Sequence, residues 1–274
     1  MQQLIKSIAT GLLALGSLSA HATAIDLTTA GATGTDGTVR YTQTVDQPTG
    51  TGFIDTFVQL QNNGTEQAYN TTVNGVYNNG SPDNFNHQIQ VGDVGFIDMN
   101  GSTPGGQVMR FFLDLNESSG QDNPLLNLDE VQIFVSSLAN QSIEPALAQG
   151  QLVPFSGNAQ LVYQLDAGGV DDTVRLNYDL NKGGSGKGDM FMDVPLDLFQ
   201  AAFASGGAFY DTVAEQNNAY IYLYSRFSNA DAGFEEWTYK AGSPLTPPGQ
   251  VPEPFTTVLL VIGLLGMCAV RRRI

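Results

Sequence analysis

Carboxylate and amide side chains that could bind a cation lie close together near the middle of the chain. Asp114, Asn116, Glu117 and Asp122 come at and just after the end of a predicted strand. Oxygen ligands of this kind are the ones that calcium prefers in proteins. These four residues therefore predict a calcium site in the loop of a β-domain, and no other cofactor is indicated.

The spacing Asp-x-Asn-x-Ser, which starts at Asp114, matches the first ligand positions of an EF-hand loop. The EF-hand itself is excluded, because Ser119 stands where its Gly belongs and Leu125 where its closing Glu belongs. Two other acidic loops are alternative cation sites, one with Asp171 and Asp172, the other with Asp231, Glu235 and Glu236. A further alternative is that these Asp and Asn residues only form turns, which both residue types favour.

The sequence predicts a protein that is not an enzyme. His87 is the only histidine after residue 24, so one chain cannot form a two-histidine zinc site, and no Gly-x-Ser-x-Gly elbow supports a serine triad. The Gly-rich run 183–188 lacks the Gly and Ser/Thr positions of a phosphate loop. Glycoside hydrolysis needs two carboxylates. Asp129, Glu130, Glu235 and Glu236 are available, with Trp237 to stack on a sugar, but no spacing singles out a pair.

The segments that would position these side chains are mostly strands. Period-2 alternation predicts strands over 39–43, 53–60, 88–97, 108–115, 128–135, 161–165, 174–180, 190–194, 220–227 and 235–239. One short helix is predicted over 196–204, since Pro195 precedes apolar residues spaced three and four apart. The pattern indicates an all-β fold, a single jelly-roll-like β-sandwich over 25–240. Two small sandwiches divided near 139–157 are the alternative.

The charge of the chain limits its partners. The net charge is -16 over 274 residues. Residues 25–254 hold all 27 acidic residues but only 7 of the 11 basic ones, a net charge of -20. Nucleic acid is not an expected partner, because phosphate binding needs a basic patch. The only cysteine, Cys268, lies in the apolar C-terminal segment, so the main domain has no disulfide.

The N-terminal segment has the layout of a secretory signal peptide. Lys6 precedes an apolar run, and Ala22-Thr23-Ala24 supplies small residues at a cleavage site. The pattern predicts a signal peptide over 1–24, with cleavage after Ala24 and, as an alternative, after Ala22. A buried N-terminal helix is the competing interpretation. Export implies the secretion translocon and signal peptidase as partners.

The C-terminal segment 251–274 contains three sequential signals. Pro252-Glu253-Pro254 is followed by the apolar stretch 255–270, a predicted membrane span, and then by Arg271, Arg272 and Arg273. By the positive-inside rule the arginines stay in the cytoplasm and the domain lies outside. The Pro-rich segment 241–250 is a stiff linker between domain and membrane.

This tail resembles the PEP-CTERM sorting signal of exported proteins in Gram-negative bacteria. The resemblance implies that exosortase, a membrane-embedded protease-transpeptidase, recognises the tail and cleaves near Pro252-Glu253-Pro254. It also implies an inner-membrane intermediate, followed by transfer to the cell envelope or extracellular matrix, often with exopolysaccharide. The middle of the chain, for example 112–117 and 126–134, is similar to an uncharacterised group of such proteins.

Two functions are consistent with these features. The first is a structural protein of the surface or biofilm matrix, which should bury Phe53, Phe57, Phe111, Phe134 and Trp237. The second is a carbohydrate- or ligand-binding module, which should present aromatic side chains in an exposed row. The solvent exposure of the aromatic residues therefore distinguishes the two functions.

Overall fold

The computed structural model describes residues 22–44, 55–80, 84–99, 106–117, 124–148, 150–167, 170–181, 188–231 and 233–247. Within them the chain is mostly strand and forms two seven-stranded sheets. The prediction of an all-β fold is confirmed. The signal peptide as far as residue 21, the predicted membrane span and the arginine cluster lie outside the described residues.

Sheet A contains the longest strands of the molecule at its centre. Its strands are β1 (Ala24–Asp26), β5 (Asn63–Tyr69), β6 (Ile89–Gln90), β9 (Leu125–Ser136), β10 (Gln160–Gln164), β11 (Thr173–Asn177) and β13 (Tyr220–Asp231). The main order is β1-β11-β9-β13-β5, with β10 beside β9 and β6 beside β13. β1 pairs in parallel with β11, and the other pairings of sheet A are antiparallel.

Sheet B is antiparallel throughout the described strands. Its strands are β2 (Thr33–Thr35), β3 (Arg40–Gln43), β4 (Val58–Leu60), β7 (Ile97–Asp98), β8 (Gln107–Asn116), β12 (Met190–Pro195) and β14 (Phe234–Lys240). The order is β2-β3-β12-β8-β14-β4, with β7 beside β8.

One hydrophobic core joins the two sheets. On β8, Met109, Phe111 and Leu113 share one strand face and are fully buried in this core, while Arg110, Phe112 and Asp114 lie on the other face. Trp237 on β14 is also fully buried, and its indole N–H donates to Ser225 Oγ on β13 at 3.1 Å. This hydrogen bond crosses from sheet B to sheet A, so it satisfies the polar edge of the indole inside the core.

The predicted helix over 196–204 is confirmed as α2 (Leu196–Gly206). Its apolar residues Phe199 and Phe203 pack into the core, and it ends before Gly207, whose φ is +55°. The expectation of a single helix is wrong, since α1 (Val91–Val94) and α3 (Val213–Asn217) are also present, with short 3-10 turns at Tyr178–Leu180 and Gly207–Phe209.

Local backbone features explain the two additional helices. The predicted strand over 88–97 is interrupted by α1, which closes where the N–H of Gly95 donates to the Val91 carbonyl at 2.8 Å. Gly95 has φ +65° and lies against the backbone of Gly242 and Ser243, where a side chain has no room. α3 is initiated by a capping box between Thr212 and Glu215, a pattern visible in the sequence.

The alternative of two sandwiches divided near 139–157 is not seen in the sheets, because strands from both sides of this segment occur in each of them. The segment instead lies along sheet A, where Tyr69 donates to the Ile143 carbonyl at 2.8 Å. None of the helices in the described ranges is long and apolar enough to cross a membrane.

Candidate functional site

Three of the four predicted calcium ligands, Asp114, Asn116 and Glu117, lie in the described part of the chain, at and just after the end of β8. Asp114 and Asn116 lie on β8 and share the strand face that carries Arg110, opposite to the face that fills the core. Glu117 follows β8 directly and interacts with Glu235, whose side chain lies between the sheets. Alternation along the strand thus separates Asp114 from Glu117. Asp122 lies outside the described residues.

Three glutamates from three different elements meet between the sheets instead. Glu66 comes from β5 of sheet A, Glu235 from β14 of sheet B, and Glu117 from the end of β8. Their exposed fractions are 0%, 1% and 6%. We call this group the carboxyl triad. Glu117 was among the predicted calcium ligands and Glu235 belonged to one of the alternative acidic sites, whereas Glu66 was not predicted.

The register of the sheets explains why these glutamates face inward. Glu235 is paired with Leu115 and lies two residues before Trp237, on the core face of β14. Glu66 lies two residues before Ala68, which belongs to the core, and is paired with Phe227. A two-residue period therefore directs both carboxyl groups into the space between the sheets.

Hydrogen-bond donors are scarce around the carboxyl triad. The backbone N–H of Asn62 donates to Glu66 Oε2 at 2.8 Å. The other oxygen of Glu66 and both oxygens of Glu235 are buried and accept no hydrogen bond from an N–H or hydroxyl group of the described residues, and their polar neighbours are the other carboxyls of the triad. A backbone hydrogen bond from Asp231 favours the ionised form of Glu117. The negative charge of the Asp231 side chain opposes that ionisation. Because buried carboxylates need donors or counterions, three ionised groups here would be strongly destabilising.

The pKa values of the triad shift accordingly. Burial raises the pKa of Glu235 well above its usual range, and the neighbouring Glu66 and Glu117 carboxyls raise it further. Burial also raises the pKa of Glu117 to about 7 and that of Glu66. At neutral pH the arrangement therefore retains protons, and a protonated Glu235 can donate a hydrogen bond to a neighbouring carboxylate.

A preformed metal centre is not part of the described structure. Among the residues of the described ranges, no group of three or more His, Cys, Asp or Glu side chains is arranged so that it could hold a metal ion.

A second buried carboxylate, that of Asp193 on β12, is fully compensated. Arg40 on β3 donates to its Oδ2 at 2.6 Å, and Arg110 on β8 donates to its Oδ1 at 2.6 Å. Arg110 also lies 4.7 Å from the centre of the Phe191 ring. This ion network joins three neighbouring strands on the outer face of sheet B.

The carboxylates proposed for glycoside hydrolysis do not form a matched pair. Glu235 and Glu236 point to opposite faces of β14, and Glu236 accepts a hydrogen bond from Gln59 Nε2 at 2.6 Å. Glu130 is buried on β9 beside Gln132, with Arg226 at 3.9 Å. Glu235 and Glu236 are adjacent in the sequence, but their side chains do not face the same cleft.

Most of the large aromatic side chains are buried. Phe57, Phe111, Phe134 and Trp237, all expected in the core of a structural protein, are at most 4% exposed. Phe53 lies outside the described residues. The aromatic residues of β13 are covered as well: Tyr222 stacks on Phe155 at 4.8 Å between ring centres, beneath the segment 137–157.

Exposed aromatic residues do not form a row among the described residues. The strongly exposed ones there are Phe85 and Phe209, which are far apart in the sequence and lie in different loops. Trp237 cannot stack on a sugar ring, because it is fully enclosed. The described surface therefore shows no exposed row of aromatic side chains of the kind expected for the sugar-binding hypothesis.

The chain has no recognisable relative in the comparisons. No protein family, curated protein or solved structure matches it.

Proposed function

We propose that the chain is an exported structural protein of the cell surface or extracellular matrix, a single jelly-roll-like β-sandwich that exosortase sorts. The observation that carries this proposal is the burial of its large aromatic side chains, including Trp237, inside or beneath the sheets. Such a domain has a stable core and a polar, acidic surface. The high negative charge keeps it soluble outside the cell and compatible with a hydrated exopolysaccharide matrix.

Two removable ends complete the proposal. Signal peptidase acts near Ala22 and Ala24 after the translocon has engaged the N-terminal segment. Exosortase then recognises Pro252-Glu253-Pro254, the apolar stretch and Arg271–Arg273, so that the inner-membrane form is an intermediate.

Sorting is tested in a Gram-negative host with exosortase and in the same host without it. We expect a shortened protein at the surface or in the medium of the first host, and a longer membrane-bound form in the second. Replacing Pro252, Glu253 and Pro254 together by alanine should reproduce the second result. The matched control replaces Pro247 and Pro248, which precede the motif, and should leave sorting intact. Identical fractions from both hosts would refute the proposal.

A ligand-binding module is the second candidate, since the described surface has an open pocket of about 320 Å³. Asp36, Tyr163 and Leu198 are among the residues that line it. Titration of the exported protein with matrix polysaccharide fragments tests this function. Binding that Leu198→Trp abolishes, by filling the pocket, would favour the module. Absence of binding would favour the structural protein.

Calcium stabilisation remains part of the proposal with a changed ligand set. Asp114 and Glu117 face apart, and Glu66 and Glu235 are the carboxyl neighbours of Glu117 between the sheets, so an ion that binds there would compete with the protons that the triad retains. We expect millimolar calcium at pH 8 to raise the melting temperature by several degrees over chelator, corresponding to about 3 kcal/mol. Glu117→Gln should remove this shift and Asp114→Asn should retain it. An unchanged melting temperature would contradict calcium binding.

A further inference from the structure

The beginning of β1 bears on where the signal peptide is removed. The sequence offers two overlapping sites with small residues in the required positions, Ala20-His21-Ala22 and Ala22-Thr23-Ala24. Cleavage at the first leaves Thr23 as the first residue, and cleavage at the second leaves Ile25. The two products differ in whether they keep residues 23 and 24, which contact sheet A in the folded domain.

Residues 23 and 24 are built into sheet A. Ala24 pairs with Thr173, and Ile25 with Val174, in the parallel ladder between β1 and β11. The backbone N–H of Thr173 donates to the carbonyl oxygen of Thr23 at 3.2 Å. A chain that began at Ile25 would lose this hydrogen bond and the first pair of the ladder.

The backbone nitrogen of Thr23 has its own partner. It donates to Oδ1 of Asp172 at 2.6 Å. Asp172 is only 8% exposed, and its own N–H is fixed by a 2.9 Å hydrogen bond to Asp166 Oδ1. Thr23 and Ala24 are exposed, so a chain end fits there.

We propose that signal peptidase cleaves after Ala22 and that the new α-ammonium group of Thr23 pairs with the Asp172 carboxylate. Water adds across the Ala22–Thr23 peptide bond, which leaves a carboxylate on Ala22 and an amine on Thr23 that takes up a proton. The α-ammonium group then places a positive charge beside the Asp172 side chain, which in the uncleaved chain accepts a hydrogen bond from the neutral backbone amide of Thr23. This inference rests on the proposed export, and it reverses the sequence preference for Ala24.

The first test is N-terminal sequencing and intact mass of the full chain, exported by a bacterial host without exosortase and purified in detergent. A protein that begins with Thr23 supports the inference. A protein that begins with Ile25 overturns it while leaving export intact. A chain that still begins with Met1 would instead count against export itself, and with it the inference.

The second test separates the ion pair from a merely structural role of Asp172. At pH 7, Asp172→Asn should lower the melting temperature of the exported protein by about 2–4 °C, whereas Asp171→Asn, which removes the same charge next door, should not. An unperturbed α-amine titrates near pH 8, and pairing raises its pKa. The α-ammonium group therefore contributes to the stability of the folded protein below about pH 8, and this contribution is lost at higher pH. A loss in Asp172→Asn that is the same at pH 7 and pH 10 would overturn the ion pair.

Discussion

The carboxyl triad, which lies between the two sheets, and the Asp193 ion network, which lies on the outer face of sheet B, are two buried acidic sites with opposite compensation. Asp193 is held by two guanidinium groups on the outer face of sheet B. The three glutamates of the triad meet one another between the sheets, where burial and mutual repulsion act together. A buried carboxyl group that meets guanidinium groups ties neighbouring strands together, whereas burial beside other carboxyls raises the pKa values of the triad glutamates.

We expect the largest change in the free energy of unfolding when Asp193 is replaced. Asp193→Ala leaves Arg40 and Arg110 facing each other with a buried gap, so the free energy of unfolding should fall by about 3 kcal/mol. Denaturant titration at pH 7 measures it. Asp211→Asn, an exposed acid between α2 and α3, is the control and should change stability little. A loss of similar size in both variants would show that net charge, not the ion network, was responsible.

The second prediction concerns pH. The carboxyls of the triad have higher pKa values in the folded protein than the usual 4.5, so the native state binds more protons than the unfolded chain. Their contribution is fully present below pH 4.5 and lost as the pH rises through the folded values, about 7 for Glu117. We expect stability to fall by on the order of 2 kcal/mol between pH 5 and 8. Stability that rises with pH over this range would contradict the prediction.

The third and smallest effect is expected in Glu235→Gln. The amide keeps the shape of the side chain, cannot ionise and offers two N–H donors to Glu66 and Glu117. At pH 8 we expect stability to increase by about 1 kcal/mol, with little change at pH 4.5, so that the pH profile becomes flatter. Glu236→Gln on the opposite face of β14 is the matched control. Equal changes in stability in the two variants would show that the triad does not determine the pH profile.

Sequence patterns predicted the long central strands and α2 well. Each of β8, β9, β12, β13 and β14 has several large apolar residues that a buried strand needs. The short edge strands β1 and β2 were missed, and so was β5 (Asn63–Tyr69), which follows the predicted strand over 53–60. The exposed half of β5 is polar, so its sequence is that of a loop and only pairing with β13 makes it a strand.

The sites were harder to predict than the strands, because their members are distant in sequence. Glu66, Glu117 and Glu235 are brought together only by the packing of the two sheets, and Arg110 meets Asp193 across 83 residues. One signal was available: Glu235 has the same parity as Trp237, which puts a charged residue on an apolar strand face. Asp114 and Glu117 are close in sequence, but three positions along an extended chain place side chains on opposite faces.

The most direct measurement of the central claim is a pH titration of the glutamate carboxyl carbons by NMR, in the exported protein and in Glu235→Gln. We expect one glutamate carboxyl carbon of the wild type to keep the chemical shift of a protonated carboxyl at pH 7. This signal should be absent from the spectrum of the variant. A wild-type spectrum in which every glutamate carboxyl is ionised at pH 7 would contradict the proton-sharing triad.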